Sequence, residues 1–245
     1  MRLTNYNTSN PAFNDYFWDR NSSTSKTMSV TGIFVKSIFC ILIIAAVTAY
    51  IWTLHDKGVD VSWFRLGGLI GSIILSVIIS YKKNLAPILV PLYAIAKGCF
   101  LGGVSAYIKA KFPELPFQAI GVTIVTFFTI LILYQTKLIV VTRKLRSVII
   151  TAAASIILVY LISFILSFFG IQSFIWGTSW IAIAFTVVAA IVAALTLLLD
   201  FDYIERKKGR APKSMEWFAT WGLLVSLVWL YIELLRLMSK LSIRF

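Results

Sequence analysis

The sequence predicts an all-α integral membrane protein, a bundle of seven transmembrane helices. Hydrophobic residues make up 59% of the 245 positions, whereas soluble domains are about 45–50% apolar. Seven apolar segments also follow one another, and each reaches the roughly 17–25 residues that cross about 30 Å of hydrocarbon as a helix. Because the connections between them are short and polar, we expect adjacent spans to pack antiparallel.

The apolar runs place the spans at residues 33–53, 63–81, 86–108, 117–136, 147–169, 175–199 and 217–240. The division between the fifth and sixth depends on a turn at Gly170, Gln172 and Ser173, because a single helix over 147–199 would have no membrane thick enough to span. Without that turn the count would be six. Residues 1–30 are predicted to be a flexible polar cytoplasmic tail, and residues 31–245 the seven-span domain.

Small residues recur in the second and third spans. Gly67 with Gly71, and Gly98 with Gly102, show the small-xxx-small spacing that lets helix backbones approach closely in lipid. We interpret them as ordinary helix packing rather than as a glycine-lined pore.

The net charge of +13 reflects Lys and Arg residues that lie almost entirely between the apolar segments. That distribution carries information on topology, and it argues against a nucleic-acid partner. The tail and the second, fourth and sixth connections hold most of these charges. Since such an excess marks the cytoplasmic side, the N-terminus is predicted to be cytoplasmic.

The sequence contains few reactive side chains, with two cysteines and one histidine. Cys40 and Cys99 fall in apolar segments and His55 in a connection, so we expect no disulfide, no fixed metal and no cofactor. Motifs of intramembrane proteases, Gly-x-Gly-Asp or His-Glu-x-x-His, do not occur in the sequence. We expect the protein not to be an enzyme.

Charged residues inside the spans are the candidate functional residues, because each costs about 2.5–3.5 kcal/mol near the bilayer centre. Lys97 lies in the third span, Asp200 at the inner end of the sixth and Glu233 in the seventh. The two acids each have a plain alternative. Asp200 would simply end its span beside Asp202, and Glu233 would pair with Arg236 three residues later.

In a triad of Lys97, Asp200 and Glu233, the positive charge of the lysine would be balanced when only one of the two acids is ionised. Two carboxylates close together cannot both ionise cheaply, so the second would share or take a proton. Such a triad would form a pH-responsive latch.

Five motifs extend over nearly the whole chain. They are Ser9-Asn10-Pro11-Ala12-Phe13; Ala86-Pro87-Ile88 with Pro91-Leu92-Tyr93-Ala94 and Gly98-Cys99-Phe100-Leu101-Gly102-Gly103; Leu199-Asp200-Phe201-Asp202-Tyr203-Ile204-Glu205; Ala211-Pro212-Lys213-Ser214-Met215-Glu216-Trp217; and Leu227-Val228-Trp229-Leu230-Tyr231-Ile232-Glu233-Leu234-Leu235-Arg236. Through these motifs the sequence resembles the Bax inhibitor-1 family of seven-span membrane proteins, in its bacterial branch.

The resemblance implies six helices around a central seventh, in a bacterial inner membrane, with a calcium-permeable leak path gated by two carboxylates. Asp200 matches the first carboxylate and Glu233 the second, with transient Ca²⁺ contact at both; Asp202 is the weaker match for the first. The branch usually shows an acid where this chain has Lys97, whose charge would repel a divalent cation. Pairing of Asp200 with Glu233 also requires residues 212–220 to lie along the membrane surface.

Two hypotheses of function follow. The first is a pH-sensitive cation leak for Ca²⁺ or H⁺, with Asp200 and Glu233 as the latch, Asp202 and Arg236 beside them and Lys97 as a modulating charge. The second is a non-conducting regulator in the lipid bilayer that binds another membrane protein, such as a quality-control protease. Lys97 favours the second hypothesis.

Overall fold

A computed structural model describes residues 27–244 of the chain, and it confirms the predicted all-α fold class. Within that range the long elements are α1 (Val30–Asp56), α2 (Ser62–Tyr81), α3 (Ala86–Lys111), α4 (Leu115–Gln135), α5 (Arg143–Phe168), α6 (Trp180–Lys207) and α7 (Met215–Arg244). Short 3₁₀ turns occupy Lys83–Leu85 and Phe174–Trp176.

All seven helices are long and apolar enough to cross a membrane. Large apolar side chains are exposed along most of them, for example Leu42 on α1 and Ile88 on α3. A helix satisfies its own backbone hydrogen bonds, which makes it suited to hydrocarbon. The protein is therefore a multi-pass membrane protein in contact with the lipid bilayer.

The turn that separates the fifth and sixth spans is present. Helix α5 ends at Phe168, and Gly170 takes a left-handed φ of 74°. The backbone N–H of Ile171 donates to the Leu166 carbonyl at 3.1 Å, which closes the last turn of the helix in the manner of a glycine C-cap. The prediction of seven rather than six spans is confirmed.

The seventh helix is the most enclosed by protein. In its most apolar window 72% of the residues are buried, against 56% for α6 and 17–39% for the other five helices. Helix α7 already begins at Met215, and Phe218 and Trp221 are buried within it. Residues 215–220 are therefore not the separate surface segment on which the pairing of Asp200 with Glu233 was argued to depend.

The described chain divides into two compact units. The first holds the chain through Lys111 together with Tyr203–Val225, and the second holds Phe112–Asp202 together with the chain from Ser226 onward. Helices α6 and α7 contribute residues to both units.

In the first unit, α1 and α2 both pack against α3. A Cβ atom added at Gly98 or Gly102 would come within 2.7 Å of an α1 side chain, so the small-residue spacing in α3 marks a helix contact as predicted. In α2 the contact is at Gly68, whose added Cβ would lie 2.5 Å from the Phe100 backbone nitrogen. A Cβ added at Gly71 would be in ordinary contact with the Ala96 side chain at 3.8 Å, whereas Gly67 has nothing within 4 Å, so the predicted contact is right at Gly71 and wrong at Gly67.

The start of the described chain also belongs to the first unit. An isolated antiparallel bridge joins Thr27 to Pro212, and the Met28 backbone N–H donates to the Ala211 carbonyl at 2.8 Å. The predicted flexible tail over residues 1–30 lies outside the described residues up to residue 26. The part that is described is held by backbone hydrogen bonds.

Candidate functional site

Glu233 lies at the centre of a polar cluster inside the second unit, and only 1% of its surface is exposed. The Tyr160 hydroxyl donates to Oε2 at 2.8 Å, and the Trp229 indole N–H donates to Oε1 at 3.0 Å. Arg236 Nη1 lies 3.5 Å from Oε2, which makes an ion pair rather than a close hydrogen bond. Trp229 and Arg236 share a face of α7 with Glu233 because they stand four residues before it and three after it.

The Arg236 guanidinium is also held between two aromatic rings. Its Cζ atom lies 4.7 Å from the ring centroid of Tyr160 and 5.2 Å from that of Trp176. A planar guanidinium stacks favourably on such faces. The predicted local pair of Glu233 with Arg236 is therefore confirmed, and it links α7 to α5 and to the turn before α6.

A second buried ion pair joins α5 to α6. Arg146 Nη2 lies 2.5 Å from Asp202 Oδ2, and the two side chains are 7% and 9% exposed. Asp202 was the weaker sequence candidate, and Arg146 looked like one of several charges in a connection. Their separation of 56 positions along the chain explains why no local pattern revealed the pair.

Asp200 is buried in the second unit, two residues before Asp202 on α6. Helix α6 continues beyond Asp200 to Lys207, and the alternative that Asp200 marks the end of the membrane span stays a prediction. The pairing of Asp200 with Glu233 stays a prediction, but the surface segment that it was argued to require is not formed, because α7 runs unbroken from Met215.

Lys97 belongs to the first unit. Its Nζ lies 5.6 Å from the ring centroid of Tyr93 and 5.4 Å from that of Phe100, residues four before and three after it on α3. These ring faces stabilise the ammonium by cation–π attraction. The proposed triad of Lys97 with the two acids stays a prediction.

The sequence analysis did not select Lys240, the last residue of the predicted seventh span, as a candidate functional residue. In the structure Lys240 is 5% exposed, and its Nζ donates to the Ile175 carbonyl, the Ala182 carbonyl and Thr186 Oγ1. One turn later, Arg244 donates to the Thr178 carbonyl at 2.8 Å. The spacing of Arg236, Lys240 and Arg244 at four-residue intervals was the available signal, since it places three cations on one helix face.

Glu216 was also missed, although it lies within one of the sequence motifs. Its Oε1 accepts from the Ser29 backbone N–H at 3.0 Å and from the Ser29 hydroxyl at 3.1 Å, while Lys36 Nζ lies 2.5 Å from Oε2. This buried carboxylate thereby ties the start of α7 to the start of α1 inside the first unit.

Within residues 27–244, no group of three or more His, Cys, Asp or Glu side chains is placed to hold a metal ion. Transient Ca²⁺ contact at Asp200 and Glu233 stays a prediction.

Comparison with known proteins bears on the whole chain. A search of curated proteins found no match. A family model described as Bax inhibitor 1 like matches residues 10–243, which is nearly the full length. The match includes the three ion pairs described above and the Lys240 contacts, and on this basis the chain belongs to the Bax inhibitor 1 like family.

Proposed function

We propose that this protein is a pH-sensitive leak for cations, Ca²⁺ among them, whose resting state is held by buried ion pairs. The observation that carries the proposal is the environment of Glu233, a buried carboxylate in a membrane span that contacts an arginine, a tyrosine and a tryptophan. Ionisable residues inside spans commonly mark ion or proton pathways. The protein is proposed to sit in a bacterial inner membrane with a cytoplasmic N-terminus, and to catalyse no reaction.

Protonation acts on the contacts of Glu233. A neutral carboxyl group no longer attracts the Arg236 guanidinium, while Tyr160 and Trp229 remain as neutral hydrogen-bond donors. Arg236 also stacks on Trp176, in the turn before α6. Without its ion pair to Glu233 the guanidinium is held less firmly on that ring, and the contact between α7 and the turn is weakened. A shift of a few kcal/mol is enough to change the populations of two helix arrangements.

The pair of Asp202 with Arg146 adds a second proton-sensitive contact, between α5 and α6. A carboxylate that is matched by an arginine presents little net charge to a cation. Separation of each pair is thus the proposed condition for cation entry.

The test is Ca²⁺ flux into proteoliposomes between about pH 6 and pH 8, the range in which proton switches operate. Wild type is compared with Glu233→Gln, Asp202→Asn, Asp200→Asn and Lys97→Glu. Glu205→Gln is the matched control, since Glu205 is on the same helix as Asp202 with a side chain 51% exposed. We expect flux to rise as pH falls, and the dependence to be lost in Glu233→Gln and retained in Glu205→Gln.

The second candidate is a non-conducting regulator that binds another membrane protein. It is favoured by Lys97, because an ammonium held against two rings of α3 is a fixed positive charge that repels divalent cations. Absence of flux above empty liposomes in every variant, from protein shown to be folded, would contradict the leak and support the regulator. Greater flux in Lys97→Glu would show instead that Lys97 restricts a leak.

A further inference from the structure

We propose that the carbonyl oxygens of Ile175 and Ala182 and the hydroxyl oxygen of Thr186 form a site for a monovalent cation, which the Lys240 ammonium occupies as a tethered plug. The binding site stands on its own geometry. Its role as a plug rests on the proposed leak function.

The contacts match the needs of an ammonium group. Lys240 Nζ lies 2.6 Å from the Ile175 oxygen, 3.1 Å from the Ala182 oxygen and 2.8 Å from Thr186 Oγ1. An ammonium carries three N–H donors, so these three oxygens satisfy each of them. All four residues are buried, so the oxygens replace the water that would otherwise surround the charge.

The three oxygens are neutral, and they come from backbone and hydroxyl groups. Carbonyl oxygens that replace a hydration shell are the ligands by which membrane proteins hold dehydrated alkali cations. They are supplied by two elements other than α7: the 3₁₀ turn Phe174–Trp176 and the first two turns of α6. The three oxygens of Ile175, Ala182 and Thr186, called the cradle below, therefore belong to elements that surround the lysine, and the lysine side chain enters from α7.

The cradle lies close to Glu233 along the same helix. Lys240 follows Glu233 by seven residues, or about 10 Å at about 1.5 Å per residue. Arg236, four residues before Lys240 on α7, contacts Trp176, and Arg244, four residues after it, contacts the Thr178 carbonyl. A cation that left Glu233 along this face of α7 would meet the Lys240 ammonium, which already fills the available oxygen ligands.

The binding site is tested by chemical rescue. Lys240→Ala removes the ammonium together with three methylene groups, and n-propylammonium replaces the atoms lost. We expect the variant to have a lower Tm than wild type, and n-propylammonium to restore about half of the loss or more by binding the folded state. Tetramethylammonium, which has no N–H donor, and n-propanol, which has no charge, should restore none.

Lys208→Ala is the matched control, because the Lys208 side chain is 52% exposed and its change should neither lower Tm appreciably nor create a response to n-propylammonium. If Lys240→Ala does not fold, Lys240→Met keeps the apolar stem, and its Tm should then increase with K⁺ or NH₄⁺ at constant ionic strength. A Tm that responds to these cations no more than that of wild type, in either variant, would overturn the site.

Flux measurements separate the site from the leak. We expect Lys240→Met to pass more Ca²⁺ than wild type at the same pH. Rescue by n-propylammonium without flux in any variant would leave the site standing and remove both the leak and the plug. A pH-dependent flux in wild type that is unchanged in Lys240→Met, without rescue, would overturn the inference and leave the leak intact.

Discussion

The identity of Gly32 is constrained by Glu216, a residue far away in the sequence. A Cβ atom at this position would lie 2.5 Å from Oε2 of Glu216, the carboxylate that binds Ser29 and Lys36. Only hydrogen leaves room for the carboxylate at its present distance from the helix start. The sequence offered no sign of this constraint, because Gly32 stands among ordinary residues at the edge of the first apolar run.

We expect Gly32→Ala to lower stability by about 1–3 kcal/mol, the usual cost of overpacking, because the Glu216 carboxylate must move away from Lys36. Thermal unfolding in detergent micelles measures the effect. The same substitution in a Glu216→Ala background should cost little, since the space is then vacant. Equal costs in the two backgrounds would show that Glu216 is not the cause.

Arg146 and Asp202 form an ion pair whose two side chains are both buried. Removing one member of a buried pair typically costs about 3–5 kcal/mol, because the other charge is left uncompensated. We therefore expect Arg146→Met to lower Tm strongly, and the double variant Arg146→Met with Asp202→Leu to recover much of the loss.

The exposed pair of Lys208 with Glu205, 3.3 Å apart, serves as the control for that experiment. Surface pairs contribute about 0–1 kcal/mol, so Lys208→Met should change Tm little. An Arg146→Met variant as stable as Lys208→Met would contradict the buried-pair interpretation.

At the scale of elements, α2 and α3 make contact through backbone. Gly68 faces the backbone of α3, with an added Cβ 2.5 Å from the Phe100 nitrogen and 2.6 Å from the Ala96 oxygen. Backbone cannot swing aside as a side chain can. The sequence predicted close packing by these helices correctly, but small-xxx-small spacing alone does not decide which of two adjacent glycines faces the neighbour.

We expect Gly68→Ala to lower Tm clearly, because α2 would have to move away from α3. Gly67→Ala is the matched control on the adjacent position, and it should leave Tm unchanged or raise it, because alanine favours helix by up to about 1 kcal/mol. The comparison is made by thermal unfolding of the two purified variants. Similar losses in both would contradict the assigned contact face.

The start of α2 depends on Asp60, in the connection after α1. Its Oδ1 accepts the Ser62 backbone N–H at 2.9 Å. That hydrogen bond, then the Ser62 and Tyr107 hydroxyls and the Arg65 charge, hold the pKa of the Asp60 carboxyl below its ordinary value. A lowered folded-state pKa gives stability that is present above the unfolded-state pKa and is lost as pH falls through the folded-state value.

We therefore expect Asp60→Ala to be less stable than wild type at neutral pH, and the difference in Tm to shrink as pH falls below about 4, the ordinary aspartate value. The measurement is Tm of both proteins from neutral to acidic pH. A difference that stays constant down to the lowest pH reached would show that the Asp60 charge has no part in capping α2.

At the scale of the molecule, hydropathy predicted the number and order of the spans, because crossing a membrane constrains length and apolarity directly. It could not identify the partners of charged residues. Arg146 was placed just before the predicted fifth span and Lys240 at the end of the seventh, and each is buried against oxygens more than fifty positions away in sequence. Segment composition records the environment of a helix, and it does not record which helix lies beside it.

The orientation of the chain in the membrane can be tested by cysteine labelling. In a background with serine at Cys40 and Cys99, we expect Lys57→Cys in the first connection to react with a membrane-impermeant maleimide in intact spheroplasts. Arg210→Cys in the sixth connection should react only after the membrane is opened, because the basic connections are proposed to face the cytoplasm. The reverse pattern would place the N-terminus outside.

The hydrogen bond between Met28 and Ala211 sets an order of events during synthesis. The chain is made from its N-terminus at about 5–20 residues per second, so Ala211 leaves the ribosome about 10–40 s after Met28, since 183 residues separate them. The first helix thus enters the membrane long before its own starting residues have a partner. The earliest part of the described chain to be translated is among the last to reach its final position.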